Sequence, residues 1–471
     1  MSERADCDLA ILGAGAAGLI AADFALQLRA RVILVEADRI GGDCTWTGCV
    51  PSKSLLHAAG VAAAVRSAAR YGVHTAEPRV DMRAVRAYLR STIEHVYAPT
   101  APEALRARGL QVLHGPARFL DARSVQVQGR SLRARRFLIC TGAEPRRPAW
   151  PALAGVPHQT YQEIFDNERL PHHLLVVGGG PLGCELAQAY RRLGSQVTLI
   201  ATRLLPRAEP QAAALLERAF AAEGIERVMA RAEAAERIAE GVRVQAGARR
   251  CEGDLLLLAV GREPRVQGLE LAAAGVRYGA RGIEVDEHLR TSVPHIYAAG
   301  DVTGAPQYSH LAGWQAFHAV RNALLPGASS ATAAALPQVT FTQPEVAQVG
   351  LLEQQARERF GERVRSAALE LGAVDRAVSE DDRHGLVKLV AHADGRLLGA
   401  TVMAARAGEA ISELSLALSQ RRGVRELAAA VHPYPTYNSA IQLLATRLAT
   451  ERFVASRLGR AARWMVRSRG R

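Results

Sequence analysis

Two strand-turn-helix-strand segments with glycine-rich turns constrain this chain more than any other feature. In the first, Asp8-Leu-Ala-Ile-Leu-Gly-Ala-Gly-Ala-Ala-Gly18 runs a short apolar strand into a glycine turn. A helical pattern follows from Leu19 to Leu28, and a second strand from Val32 to Val35 ends at Glu36. An acid about 20 residues beyond the first glycine of G-x-G-x-x-G completes a dinucleotide-binding fingerprint. Gly13 permits the tight turn, Gly15 lets backbone amides approach a pyrophosphate, Gly18 allows close helix packing, and Glu36 is placed to hold a ribose diol. The pattern returns at Leu174-Leu-Val-Val-Gly-Gly-Gly-Pro-Leu-Gly183, with a helix expected from Cys184 to Leu193 and a strand from Gln196 to Ile200. Gly178, Gly180 and Gly183 repeat the glycine roles. After that strand stand Ala201, Thr202 and Arg203, with no carboxylate. An arginine there suits a 2′-phosphate, which favours NADPH over NADH.

Shorter pieces extend the first site. Ile139-Cys-Thr141-Gly142 and Ile296-Tyr-Ala-Ala-Gly300-Asp301 each bring a strand to a small-residue turn, as close backbone approach to a cofactor requires. Asp301 can accept hydrogen bonds from a sugar-like chain or cap a helix. Gly42, Lys53 and Gly261 join the residues expected at the cofactors. From Pro326 to Leu336 the chain turns to Ala, Ser and Gly, a linker. Beyond it, strands from Leu386 to Ala391 and Arg396 to Val402 flank Asp394-Gly395, a hairpin signal. Helical patterns follow from Gly408 to Gln420 and from Ser439 to Arg452.

Length bounds the rest: 471 residues with 49% hydrophobic content allow about three domains. No apolar run approaches the roughly 20 residues that a bilayer requires, and Met1 to Asp8 lacks the basic start of a signal peptide, so a cytoplasmic protein is expected. The net charge of +13 is carried by arginine, since lysine occurs only at positions 53 and 388. Such a surface attracts anions, but no nucleic-acid-binding motif accompanies it. The basic stretch Arg457-Leu-Gly-Arg-Ala-Ala-Arg-Trp-Met-Val-Arg467 reads as a frayed, solvated tail, its apolar stripe leaving contact with an anionic membrane surface as the alternative.

Six cysteines in such a chain do not make a secreted disulfide framework, and only Cys44 and Cys49 lie close together. A close pair points to redox catalysis or metal binding, while Cys7, Cys140, Cys184 and Cys251 read as buried fillers. The pair lies in Gly41-Gly-Asp-Cys44-Thr-Trp-Thr-Gly-Cys49-Val-Pro-Ser-Lys53. On an ideal helix residues five apart are rotated about 140° from facing each other, and a disulfide needs Cβ atoms about 4 Å apart. The helix must therefore start irregularly, with Gly41, Gly42 and Gly48 loosening the backbone. In a chain that uses arginine almost everywhere, Lys53 points to a need for a compact ammonium.

These motifs, with Phe341-Thr-Gln-Pro-Glu-Val-Ala-Gln-Val-Gly350, resemble the class I pyridine nucleotide-disulfide oxidoreductases over nearly the whole chain, a family that includes dihydrolipoamide dehydrogenase, glutathione reductase and mercuric reductase. The resemblance implies an α/β fold: two Rossmann-like domains, for FAD at 1–148 and 268–330 and for NAD(P)H at 149–267, then an α+β dimerisation domain at 337–455 and the basic tail at 456–471. It implies a homodimer whose active sites each span both subunits. It also implies that Cys49 is the thiol against the flavin, that Cys44 is the interchange thiol meeting substrate, and that Lys53 pairs with Glu185 beside the flavin.

One stretch departs from the family pattern. In Val431-His-Pro-Tyr-Pro-Thr-Tyr-Asn-Ser439, Tyr434 stands where disulfide-reducing members carry a histidine, and Ser439 replaces their glutamate. A phenol of pKa near 10 is only about 0.1% ionised at pH 7 and makes a poor base. His432 can substitute for it or serve the structure alone. A soft metal ion needs paired thiolates more than a proton shuttle, so the chain looks closest to the mercuric-reductase-like branch, with a transient substrate metal at Cys44 and Cys49 and no structural metal. Dedicated mercury reductases also use a C-terminal cysteine pair, whereas no cysteine follows Cys251 here, and the sequence carries no N-terminal metal-binding domain. The alternatives are a small disulfide or a quinone as acceptor. A docked subunit with vestigial chemistry is opposed by the intact Cys-x4-Cys, Lys53 and Glu185.

Overall fold

The computed structural model describes residues 5–151 and 153–469, so the amino-terminal reading of Met1 to Asp8 lies partly outside the described residues. The chain divides into two compact units. One draws on Met1–Gly178, Arg192–Ser195 and Glu233–Thr332, the other on Gly179–Arg191, Gln196–Ala232 and Ala333–Arg471.

In the first unit the expected apolar runs become β1 (Cys7–Leu12) and β2 (Val32–Glu36), joined by helix α1 (Ala16–Gln27). A short helix α2 (Gly42–Trp46) and a long one, α3 (Cys49–Ser67), follow. Strands β3 (Gln111–His114), β4 (Arg130–Ile139) and β9 (Ile296–Ala298) complete a parallel array in which β1 lies between β2 and β4. β1 is buried on both faces: Leu9 and Ile11 pack into one core cluster, Ala10 and Leu12 into another. This is why its sequence reads as a continuous apolar run instead of an alternating one. The first cluster includes Ala17, Ala21 and Ala25 of α1 with Ala316, Ala319 and Ala323 of helix α5 (Ser309–Leu324), small side chains that let two helices approach closely over the sheet. In the same unit β5 (His173–Val177) pairs in parallel with β8 (Leu255–Leu258).

The second unit contains β6 (Gln196–Ile200), bounded as expected, beside β7 (Glu226–Val228). Helix α4 (Pro181–Leu193) precedes β6 in the chain. The carboxyl-terminal part is an antiparallel sheet of β10 (Gln338–Thr340), β11 (Glu345–Gly350), β12 (Val364–Glu370), β13 (Leu386–His392) and β14 (Leu397–Ala404), ordered β10-β11-β14-β13-β12. The expected hairpin joins β13 to β14. Its Asp394 carboxylate accepts the Arg396 N–H at 2.9 Å. Helices α6 (Ala407–Ser419) and α7 (Ser439–Ala455) bury Ile411, Leu414, Ile441 and Leu444 with Val387, Leu389 and Val402 of the sheet.

The basic tail corrects the expectation of frayed chain, because it forms helix α8 (Arg457–Arg469). Its entry is capped: the Ser456 hydroxyl accepts the Gly459 N–H at 3.0 Å, satisfying one of the unpaired first-turn donors. No described helix is long and apolar enough to cross a membrane. Cys7, Cys140, Cys184 and Cys251 are buried, as expected of fillers.

Candidate active site

The parallel register aligns strand ends. Leu12 pairs with both Val35 and Ile139, and Ile139 pairs with Ala298, so the chain leaves the sheet along one edge at Gly13, Glu36, Cys140 and Ala299. Beyond this edge opens a cavity of about 310 Å³, at the carboxyl ends of parallel strands where α/β folds take their ligands. Gly13, Gly15, Glu36 and Gly42 line it, as do Thr141, Gly142, Gly300 and Asp301. Gly18 does not line the cavity; it lies inside α1, where the helix passes the Gly13 carbonyl.

These residues fit a dinucleotide. Gly13 holds φ +106°, and a Cβ there would lie 2.4 Å from the Cys140 carbonyl oxygen, so only glycine closes the turn against the neighbouring strand end. The Glu36 carboxylate accepts the Ala14 N–H at 2.6 Å and the Asp38 N–H at 2.8 Å. A carboxylate has about four acceptor positions, which leaves room for a ribose diol.

The irregular helix start takes the form of two helices. Cys44 belongs to α2 and Cys49 opens α3, separated by Thr47 and Gly48. A Cβ on Gly48 would lie 2.7 Å from the Asp43 carbonyl oxygen, so glycine is what lets the chain double back between the two sulfurs. Cys44 is half-buried and lines the cavity; Cys49 is exposed and reaches a lining residue, its Sγ 3.3 Å from the Ser309 hydroxyl at the start of α5.

The sulfurs are electrostatically unequal. A hydrogen bond from Cys44 pulls the Cys49 thiol down to about 6, and the Ser309 hydroxyl and the Lys53 charge assist it. The same bond, with burial, pushes the Cys44 thiol up. The arrangement therefore holds one thiolate, at Cys49, and one protonated partner. Lys53, on α3, acts on Cys49 by its charge and does not line the cavity.

A second set of residues beside the pair joins the expected Asp301 to Arg262, Asp43 and Tyr161, none of which was expected at the site. The Arg262 guanidinium donates to Asp43 Oδ2 and Asp301 Oδ2, each at 2.6 Å, and to the Tyr161 hydroxyl at 3.1 Å. Tyr161 in turn donates to Asp43 at 2.8 Å. Asp301 thus faces the cavity with one oxygen already engaged. Ser309 was missed as well, since nothing local distinguishes it from an ordinary serine. Asp43 lies inside the cysteine motif and Arg262 follows Gly261, but a pairing across 219 residues leaves no local trace.

The remaining expected residues divide between the units. Gly178 follows β5 and Gly261 lies shortly after β8, both with positive φ. In the second unit Gly180 and Gly183 lie at and within the start of α4, and Arg203 is exposed just after β6. Glu185 is buried on α4, and its carboxylate accepts the Phe341 N–H at 2.9 Å. His432 contacts Glu413 at 2.8 Å through Nε2 and the Ala430 carbonyl at 3.1 Å through Nδ1, so both ring nitrogens are engaged. Tyr434 is 74% exposed and donates its hydroxyl to Asp375, and that bond and its charge raise the phenol above its ordinary pKa. Ser439 Oγ donates to the Thr436 carbonyl at 2.6 Å.

The chain matches the family described as pyridine nucleotide-disulphide oxidoreductase over residues 7–316, and that family's dimerisation domain over residues 336–445. It is 37% identical over 452 residues to a mercuric reductase of Streptomyces lividans, covering 93% of this chain and 95% of that protein. It is 36% identical over 459 residues to a dihydrolipoyl dehydrogenase of Thermus scotoductus, covering 94% and 97%. Among solved structures, LpdA from Mycobacterium tuberculosis superposes with a TM-score of 0.86 at 31% identity, covering 94% of this chain and 99% of that one. Joined to the aligned strand ends, the glycine turn and the paired thiols, these likenesses show that the chain belongs to the pyridine nucleotide-disulphide oxidoreductases, as an NAD(P)H-dependent flavoprotein carrying FAD and the family's dimerisation domain.

Proposed function

We propose that this oxidoreductase takes its electrons from NADPH and passes them by way of the Cys44 and Cys49 pair to a soft metal ion or its thiol complex. The observation that carries this reading is the pairing of a stabilised thiolate with the lack of a ready proton carrier in the 431–439 loop. Disulfide reduction needs a base that accepts and returns a proton at the interchange thiol. Tyr434, its phenol raised by Asp375, is ionised even less at neutral pH than an ordinary tyrosine and so supplies no phenolate to take a proton, and His432 has both nitrogens occupied. A soft cation instead needs two sulfurs within reach and displaces the Cys44 proton itself.

FAD, when bound, supplies the two-electron relay between the nucleotide and the sulfurs. Glu36 and the 13–18 turn would hold its nucleotide end, with Thr141, Gly142, Gly300 and Asp301 along the same cavity. Cys49 is the thiol proposed to face it, since Ser309 and Lys53 favour that anion, and Cys44 is the sulfur that meets substrate. Arg203 would hold the 2′-phosphate of NADPH. We further propose the three-part division given by the sequence, with the two active sites of a cytoplasmic homodimer each completed by the 431–439 loop of the partner. A small disulfide is the second reading, favoured by the likeness to a dihydrolipoyl dehydrogenase.

Steady-state NADPH oxidation against mercuric ion, a lipoamide-type disulfide and a quinone separates the acceptors. Fastest turnover with the metal ion is expected, and it should be lost in Cys44→Ser. Fastest turnover with the disulfide would overturn the reading of Tyr434.

A further inference from the structure

Helix α8 presents two opposed faces, and the described residues leave the apolar one uncovered and bring no carboxylate to the other. At about 100° per residue, Leu458, Ala462, Met465 and Val466 share one side, while Arg460, Arg463 and Arg467 share the other. Trp464 falls between Arg460 and Arg457, on the arginine side. Leu458, Trp464 and Val466 are 74%, 71% and 73% exposed, with Met465 at 49%. Among the described residues of α8 only Gly459 is buried, against the Phe453 carbonyl, which with the Ser456 cap fixes how α8 leaves α7. No Asp or Glu follows Glu451 in the sequence. Among the described residues no arginine of α8 pairs with a carboxylate: Arg460 and Arg463 donate instead to the Ala455 and Val454 carbonyls, each at 3.0 Å.

We propose that α8 is a peripheral membrane helix that lies in the headgroup plane of an anionic bilayer. The charge pattern selects this occupant. A nucleic acid would engage the arginines but leave Leu458, Met465 and Val466 in water. A second copy of α8 would cover the apolar side but bring like-charged helices together, and the matched dimerisation domain ends at residue 445, before α8 begins. An anionic bilayer meets both faces at once: acyl chains take the apolar side and acidic headgroups take the guanidiniums. Ser456 gives the helix its start in solution, so part of the ordering cost is met before binding.

The test is flotation of the full-length holoprotein with vesicles of neutral phosphatidylcholine, or of the same lipid with about 30% phosphatidylglycerol. The expected result is partition onto the anionic vesicles at least about tenfold above the neutral ones, weakened by salt as exposed electrostatics require. Leu458→Asn with Val466→Asn should abolish it at unchanged charge, and Arg460→Gln with Arg463→Gln and Arg467→Gln should abolish the lipid preference. NADPH oxidation and flavin content of each variant report folding. Equal binding by the Asn variant, or no flotation by the parent protein, overturns the proposal. So does retention on a nucleic-acid column, or light scattering that shows loss of α8 converting dimer to monomer, with no flotation.

Discussion

Removing the Ser309 hydroxyl tests the electrostatic asymmetry of the cysteine pair directly. An ordinary thiol of pKa about 8.5 is about 3% ionised at pH 7, whereas Cys49, lowered to about 6, is roughly 90% thiolate. Ser309 contributes one hydrogen bond, 3.3 Å long, to that anion. Hydrogen bonds to charged groups are worth about 1.5–3 kcal/mol, and 1.36 kcal/mol equals one pKa unit. Cys49 is exposed in this chain, so solvent screens the bond and the lower end applies: Ser309→Ala should raise the Cys49 pKa by about one unit. The thiolate disappears as pH falls through the pKa, so the variant loses it at higher pH than the parent. At pH 6.5 the ionised fraction falls about threefold, and because only the thiolate is nucleophilic, so does the rate of Cys49 alkylation by iodoacetamide in the reduced protein. Peptide mass mapping separates Cys49 from Cys44, and the assay needs no turnover. An alkylation midpoint that stays put, or moves down, refutes the role given to Ser309.

Three further perturbations follow from the same geometry. Gly13→Ala places a Cβ 2.4 Å from the Cys140 carbonyl at a φ of +106°, so the purified variant should lose most of its flavin absorbance; a fully yellow protein would show that the turn does not hold the cofactor. Arg203→Leu should raise KM for NADPH about tenfold or more and leave NADH nearly unchanged, as expected for a lost phosphate contact. Lys388 is buried between Glu209 at 2.9 Å and Glu353 at 2.5 Å, so Lys388→Met strands the buried Glu209 carboxylate, while Glu353 keeps Arg357 and Ser366, and should cost about 3 kcal/mol in urea unfolding. Burial opposes ionisation of Glu353, yet hydrogen bonds from Lys388, Ser366 and Arg357 hold its carboxyl down at about 2. A depressed carboxyl gives stability that is present above its unfolded pKa and lost as pH falls toward the folded one. The stability gap between parent and variant should therefore shrink between about pH 4.5 and 2.

Elements whose logic is local were legible in the sequence. The boundaries of β6 agree with expectation because Val197, Leu199 and Ile200 make a short apolar-rich stretch that begins just after Gly194-Ser195, and the 394–395 hairpin carries its own turn chemistry. The break between α2 and α3 was legible as a geometric demand, since two sulfurs five positions apart cannot meet on a regular helix. The helical state of α8 was missed because Ser456, which caps it, was not read as a helix start. Ser309 and Arg262 were missed for another reason: their meaning depends on partners 260 and 219 residues away, a separation at which one sequence shows neither proximity nor pairing.

The Arg262 network explains why the first thiol stays in register with the cavity. Asp43 immediately precedes Cys44, and a five-residue helix such as α2 is too short to hold itself in water. Its position must be imposed from outside. The planar guanidinium of Arg262 bonds two carboxylates on different segments, Asp43 before the thiol and Asp301 at the cavity's edge, while Tyr161 bridges Arg262 back to Asp43. A lysine would supply the charge but not the fork, because a point ammonium cannot set two carboxylates at fixed angles. The chain thus separates two tasks among its cations: arginine at 262 fixes where the first sulfur sits, and lysine at 53 adds its compact charge to the hydrogen bonds that favour the second one as an anion.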